Sequence, residues 1–338
     1  MPRKLNDWFG VLSSLPGYAP PGSRTESLGD IYPKYTPKGI HIEKLSISSS
    51  QPNTVKLSAL LLRRHDAASP PEHVVLYFQG IYLALLIDQH FKLHFMFWPW
   101  LHVYVGNAGN PLHRIPVFTA LLNAVPSLAI LAPAPRSYWS SSAGRPTQAG
   151  LTADYEAALA FAASRFPTSR LTIYGHSLGA SIALCLLASR KDVLNAAPAA
   201  GVHGLVLENA FTSVPDMVRA LYPQRWLPYR YLSPFVRDKW DARAAAAEIA
   251  YKFPQGLARR TMVLVSERDE VVPPAMGREI SDLLQGSREM DENGEVAIAG
   301  GRRESLGRVV VLEGALHEDG WRYRDWSRAM KQYLSGVT

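Results

Sequence analysis

The tightest constraint in this sequence is a pentapeptide, Gly175-His176-Ser177-Leu178-Gly179, set between an apolar run and a helical one. Residues 171–174 (LTIY) have the apolar, β-branched character of a buried strand, and residues 181–187 begin a helical pattern. At such a junction G-x-S-x-G makes a turn so sharp that the serine takes a strained backbone conformation, with its hydroxyl raised above the sheet. The flanking glycines are needed because a Cβ would collide with the neighbouring strand and helix. The helix that follows aims its unpaired N–H groups and the positive end of its dipole at the place where an oxyanion would form. Five residues with three fixed positions also arise by chance. The strand before and the small residues after, Ala180, Ser181 and Ala183, make Ser177 the candidate nucleophile.

The 338 residues leave room for one large α/β domain or two small ones, and 47% apolar content is ample for a sizeable core. The single cysteine, Cys185, excludes an intramolecular disulfide and gives no sign of an oxidising compartment. Its place on the helix after Ser177 suits core packing. The formal net charge is +7, yet no long Lys/Arg run or nucleic-acid motif appears. That argues against nucleic acid and leaves a membrane surface, or nothing specific, as the partner of the charge. Residues 1–10 carry basic groups but no apolar stretch long enough for a signal peptide. Trp8, Phe9, Val11, Leu12 and Leu15 suit either a short interfacial helix or a tail folded onto the core. The expectation is a cytoplasmic or peripheral protein, not a secreted one.

Residues 1–39 form an irregular leader, rich in Pro, Gly and Ser from residue 13 onward. Residues 40–338 then read as one domain. Residues 40–47 and 55–62 predict two antiparallel strands at a sheet edge, and residues 74–78 (VVLYF) a central strand. Residues 81–105 interrupt the strand-to-turn sequence that Gly106-Asn107-Ala108-Gly109-Asn110 resumes. Asp88, Gln89, His90 and Lys92 break this apolar stretch near its centre, where a membrane span would bury them, and both its ends must return to one sheet edge. It is either an apolar flap or translated intron sequence, and its aperiodic composition favours the second. Residues 128–131, 204–207, 261–265 and 309–312 predict further buried strands. A helix is expected over residues 152–165, with Thr152 as its N-cap, and another over residues 321–334. Strands alternating with helices specify a mostly parallel sheet covered on both faces.

Two segments stand apart. Residues 210–253 mix Trp226, Tyr229, Tyr231, Phe235 and Trp240 with Arg225, Arg230, Arg237 and Lys239, too many cations for a core segment. They read as a lid that could rest on lipid head groups, or equally as an aromatic cap with solvated arginines. Residues 286–307 are charged and glycine-rich, a surface loop or disordered insertion.

A serine hydroxyl is a weak nucleophile until an imidazole takes its proton, and that imidazole needs a carboxylate to fix its tautomer. In a strand–elbow–helix architecture the partners follow in the order Ser, Asp or Glu, His. Asp269 follows the strand at 261–265, and His317 follows the strand at 309–312. Glu267 and Glu270 compete with Asp269, which its loop position favours. Among the ten histidines only His317 follows a late strand, while His176 is placed to pack or hydrogen-bond beside the serine. The oxyanion hole needs two backbone donors. Leu178 N–H is one. The other comes from the turn after the third strand, as Asn107 if GNAGN occupies that turn or Ile81 if Gly80 does.

The motifs GNAGNPLHR, PRSYWSSSAGRPTQAGLTADY, YGHSLGA, LENAFTSVPDM, SERDEVVPP and GALHED, spread over residues 55–335, resemble the α/β-hydrolase superfamily of serine hydrolases. More narrowly they are similar to its abhydrolase-domain, bud-emergence-type branch, which is also serine-aminopeptidase-like. The resemblance implies an α/β-hydrolase fold with a lid, and Ser177, Asp269 and His317 as the catalytic triad. Gln79 stands where that branch usually has a histidine, and the N-terminal membrane helix common in relatives is not expected from these residues.

The resulting expectation is an acyl hydrolase working through an acyl-enzyme, on an ester or thioester such as a monoacylglycerol, a lysophospholipid or an acylated protein. No cofactor is required and no metal-ligand spacing is visible. The rivals are a serine aminopeptidase-like enzyme and an inactive hydrolase fold used for binding.

Overall fold

The computed structural model describes residues 24–31, 37–49, 54–67, 70–80, 110–190, 201–221, 223–224, 236–252, 256–285 and 308–336. The stretch at 81–105, the candidate donor Asn107, the charged loop at 286–307 and most of the aromatic-basic run at 222–235 lie outside the described residues.

Eight strands make one sheet: β1 (Ile40–Ser49), β2 (Val55–Arg64), β3 (His73–Phe78), β4 (Leu128–Pro133), β5 (Arg170–His176), β6 (Val202–Glu208), β7 (Thr261–Ser266) and β8 (Arg308–Leu312). Their order is β1-β2-β4-β3-β5-β6-β7-β8. β1 pairs antiparallel with β2 and β2 antiparallel with β4, while every pair from β4 to β8 is parallel. The sequence accounts for this division. β1 alternates buried and exposed residues, as suits an edge strand, whereas all six residues of β3, β4 and β7 are buried. The strands expected from the sequence are all present, with the antiparallel pair at the edge and VVLYF at the centre.

Helices cover both faces. α1 (Ile115–Ala124) packs with α7 (Arg324–Leu334). α2 (Gln148–Arg165), α3 (Leu178–Ser189), α5 (Ala242–Lys252) and α6 (Pro274–Gln285) pack in succession, and α4 (Val214–Leu221) precedes α5. α7 is fastened at two points. Trp326 is fully buried and its indole N–H donates to the Tyr174 hydroxyl at 3.0 Å, while the Tyr333 hydroxyl accepts from Leu205 N–H at 2.8 Å. A Cβ on Gly204 would lie 2.2 Å from that Tyr333 oxygen, so the β6 glycine makes room for the staple.

Two helix starts are corrected. α2 begins at Gln148 rather than Thr152, because Thr147 is the N-cap and its hydroxyl accepts from Gly150 N–H at 3.1 Å. The C-terminal helix starts at Arg324, after a 3₁₀ turn at Gly320–Arg322. Within residues 210–253, α5 packs against α3 and α6 as part of the body, and Trp240 is buried. The alanines of α5, which carry little side chain, are what allow that close helix packing.

Candidate active site

Strand register determines which loops meet. Phe78 pairs with Gly175, His176 with Glu208, Glu208 with Leu264, and Ser266 with Leu312. The parallel strands β3, β5, β6, β7 and β8 therefore end at one edge, and the residues following them share it.

Ser177 follows β5 directly and caps α3 with φ 54° and ψ −121°, a backbone conformation non-glycine residues rarely adopt. Its N–H donates to Glu208 O at 2.8 Å, which holds the elbow to β6. The glycine requirement is severe. A Cβ on Gly179 would stand 2.0 Å from Phe78 O, and one on Gly175 would stand 2.5 Å from Ala180 Cα. α3 can thus approach β3 and β5 only because these two side chains are absent.

The acid and the imidazole come together. His317 Nδ1 lies 2.7 Å from Asp269 Oδ2, with both side chains almost wholly buried. Asp269 Oδ1 accepts the N–H groups of Val271 and Val272 at 2.8 and 2.7 Å, so its second oxygen is turned toward the ring. The competing glutamates are committed to backbone. Glu267 accepts from Gly314 N–H at 2.9 Å, and Glu270 accepts from His317 N–H at 3.0 Å. Burial alone would depress the His317 ring, but the hydrogen bond and charge of Asp269 outweigh it and hold the imidazole above its ordinary value of 6.5. Ser177 and His317 lie at the same edge, bridged by His176, whose ring centroid is 4.9 Å from that of His317. Among the described residues, no hydrogen bond joins the Ser177 hydroxyl to His317.

Leu178 N–H is the first amide of α3, where helix geometry leaves N–H groups without an intrahelical acceptor. The turn after β3 abuts the serine, since a Cβ on Gly80 would be 3.4 Å from Ser177 Cβ. Gln79, just before it, is buried with its amide nitrogen 3.5 Å from Pro133 O.

Four residues around the histidine had not been assigned roles from sequence. Asn209, at φ 50°, donates from Nδ2 to His317 O at 3.0 Å and to Ser266 Oγ at 3.1 Å. Arg114, buried, forms an ion pair with Glu318 and points its other terminal nitrogen at His176 Nδ1, 3.4 Å away. Burial would raise the Glu318 carboxyl, but the Arg114 charge overrides it and holds the group down at about 2. Glu208 is buried, bonded to the Tyr174 hydroxyl at 2.6 Å, and pushed up to about 7 by that burial. Their only trace in the sequence is membership of the motifs PLHR, LENAF and ALHED. His176, His317 and Glu318 also have the spacing of a three-ligand metal group. The Arg114 cation paired with Glu318 and facing His176 occupies the electrostatic role an ion would fill there.

The same architecture recurs among known proteins. A Pyrococcus furiosus esterase superposes with a TM-score of 0.57 over 96% of this chain and 98% of its own, at 16% identity. The chain has the α/β-hydrolase fold. Within that fold, the sequence is 30% identical over 178 residues to protein bem46 of Schizosaccharomyces pombe, covering 52% of this chain and 53% of that one. It is 31% identical over 188 residues to the alpha/beta hydrolase domain-containing protein WAV2 of Arabidopsis thaliana, covering 52% and 54%. It is 29% identical over 156 residues to the lysophosphatidylserine lipase ABHD12 of Danio rerio, covering 45% and 39%. These similarities are to members of the abhydrolase-domain, bud-emergence-type branch of the fold, and the chain spans about half the length of the relatives it matches first. No family model matches it. No described helix is long and apolar enough to cross a membrane.

Proposed function

We propose that this chain is a serine hydrolase of carboxylic esters or thioesters, with Ser177 as nucleophile, His317 as general base and acid, and Asp269 as the group that orients His317. One observation carries the reading: a serine in a strained strand-to-helix elbow shares one sheet edge with a buried Asp–His pair at 2.7 Å. His317 Nε2 takes the Ser177 proton as Oγ attacks the carbonyl carbon. The carbonyl oxygen becomes an oxyanion facing Leu178 N–H and a second amide of the turn after β3. Collapse of this intermediate expels the alcohol or thiol, which takes the proton from His317. Water, deprotonated by the same ring, then releases the acyl group and restores Ser177. Similarity to a lysophosphatidylserine lipase supports a lipid-like acyl ester as substrate.

A fluorophosphonate probe tests this directly. Ser177 should become labelled, and Ser177→Ala should abolish labelling while the fold remains. Turnover of p-nitrophenyl esters but not of aminoacyl anilides is the expected specificity, and the reverse would make the enzyme a peptidase. A second reading is favoured by the absence of a Ser177–His317 hydrogen bond among the described residues: a hydrolase fold used for binding. Such bonds often tighten only when substrate is present. A folded wild-type chain that never reacts with the probe would establish this second reading and end the first.

A further inference from the structure

The histidine loop is gripped from more sides than its chemistry with Asp269 requires. The amide of residue 317 is held by Glu270, and its carbonyl accepts from both Asn209 Nδ2 and His176 Nε2, each at 3.0 Å. The next side chain, Glu318, is paired with Arg114. Arg114 closes the 3₁₀ turn Pro111–Arg114 that leads out of the segment following β3, the segment expected to carry the second oxyanion donor. One guanidinium therefore touches the nucleophile elbow through His176 and the histidine loop through Glu318.

The chemistry of this contact has a single solution. A guanidinium has only donors, so the His176 nitrogen facing it, Nδ1, must accept. The ring proton then sits on Nε2, where it donates to His317 O. Burial, with the Arg114 charge beside it, drives the His176 ring down to about 3, so it stays neutral and keeps this tautomer in ordinary buffers. We propose that Arg114 and His176 are positioning residues for His317: Arg114 selects the His176 tautomer, and His176 clamps the carbonyl of the catalytic histidine while Arg114 anchors its neighbour Glu318. The nucleophile elbow and the loop of the base are thereby joined by one shared side chain. The effect on turnover rests on the hydrolase reading, but the tautomer does not.

Three substitutions separate the contacts. His176→Gln offers an amide N–H near the original Nε2 and keeps the clamp. His176→Asn offers an oxygen near the original Nδ1, keeps the Arg114 partner and loses the clamp. Arg114→Met removes the selector. With melting curves confirming the fold, His176→Asn and Arg114→Met should each lower kcat for p-nitrophenyl butyrate by about 10- to 100-fold with KM little moved, since small misplacements of a catalytic group cost on this scale. The double variant should lose little more than either alone, and His176→Gln should recover most of the rate. A folded His176→Asn with wild-type kcat overturns the proposal. Nitrogen-15 spectra of the histidines decide it independently of activity. His176 should appear as a neutral Nε2–H tautomer that does not titrate between about pH 5 and 8, the range in which an unperturbed histidine would. An Nδ1–H tautomer, or titration in that range, overturns the proposal. If the wild type fails to react with a fluorophosphonate, the hydrolase reading falls while the spectra still judge the clamp.

Discussion

Two buried arginines in this molecule pair with carboxylates and serve different ends. Arg136 gives Asp154 a bidentate grip, Nε to Oδ2 at 2.9 Å and Nη2 to Oδ1 at 2.7 Å, and adds its own backbone N–H at 2.8 Å. Both side chains are almost fully buried, at 3% and 1% exposure. A Cβ on Gly150 would come within 3.0 Å of the guanidinium, so helix α2 closes against it. Arg114 instead divides itself, one nitrogen to Glu318 and the other to His176, and its carboxylate partner keeps 33% exposure. The first guanidinium saturates both oxygens of one carboxylate and joins the loop after β4 to α2. The second leaves part of its hydrogen-bonding capacity for His176 in the nucleophile elbow. Saturation suits holding a fold, and division suits positioning a site.

The largest expected effect tests whether the chemistry lies on the divided side. Asp269→Asn preserves shape but lets the His317 ring take the wrong tautomer, and kcat should fall by about 10³- to 10⁴-fold with the melting temperature little changed. Ester hydrolysis kinetics measure it. A loss under tenfold would detach the Asp–His pair from catalysis.

Next comes the contrast itself. Arg136→Met strands Asp154, a carboxylate with 1% exposure, and should cost about 3–5 kcal/mol in denaturant unfolding. The fraction still folded should react with a fluorophosphonate at the wild-type rate. Arg114→Met should show the opposite division, a smaller loss of stability because Glu318 can turn to water, and a clear loss of kcat. Equal stability losses for the two would break the comparison.

Acid titration sharpens it further. Glu318 is held at about 2 against an ordinary 4.5, so its contribution is complete above 4.5 and is lost as pH falls toward 2. His176, at about 3 against 6.5, contributes above 6.5 and loses this as pH falls toward 3. Glu208 runs the other way. Raised to about 7, it favours the folded state at low pH and loses that contribution as pH rises from 4.5 to 7. Between 4.5 and 6.5 the His176 and Glu208 slopes oppose each other, so stability should be nearly level there and fall below 4.5. Above 6.5 the raised His317 sheds its proton, which lowers stability but produces the base that the reaction needs. Activity should therefore rise with pH beyond the stability plateau. Thermal melts and kcat/KM against pH check both slopes, and Arg114→Met should make the fall below 4.5 shallower.

Neither pair is revealed by the sequence, whereas the strands around them are. The strands were legible because VVLYF, LAIL and TMVLV are unbroken apolar runs, and such runs are buried on both faces of a parallel sheet. The shared sheet edge of Ser177, Asp269 and His317 was legible because each follows a strand, and parallel strands end at one edge. Loop position and the family resemblance favoured Asp269 over Glu267 and Glu270, and in the structure Asp269 Oδ2 is the carboxylate oxygen of the three that meets the His317 ring, while the glutamates bind backbone N–H groups. Arg114, Glu318, Asn209, Arg136 and Asp154 leave no such mark. A lone arginine in a sequence has the same appearance whether it faces water or a carboxylate far along the chain, and only packing distinguishes the two. The start of α2 was missed for a related reason. Thr147 and Thr152 are equally good capping residues, and what selects Thr147 is tertiary, because Gln148 N–H donates to Asp238 at 3.0 Å and fixes the first turn.

That last point supplies the smallest and cleanest test. Thr147→Ala removes the hydroxyl that accepts from Gly150 N–H and should destabilise the chain by about 1 kcal/mol. Gly150 is the residue packed against Arg136, so loosening the first turn of α2 acts on the saturated pair and leaves the divided one untouched. If Arg136–Asp154 depends on that turn, combining Thr147→Ala with Arg136→Met should cost less than the sum of the two alone, because the arginine the cap helps to seat is already gone. With Arg114→Met, which touches none of the same residues, the costs should add to within about 0.5 kcal/mol. Non-additivity with Arg114 instead would mean that the two arginines are coupled across the sheet and that their division of labour is not local.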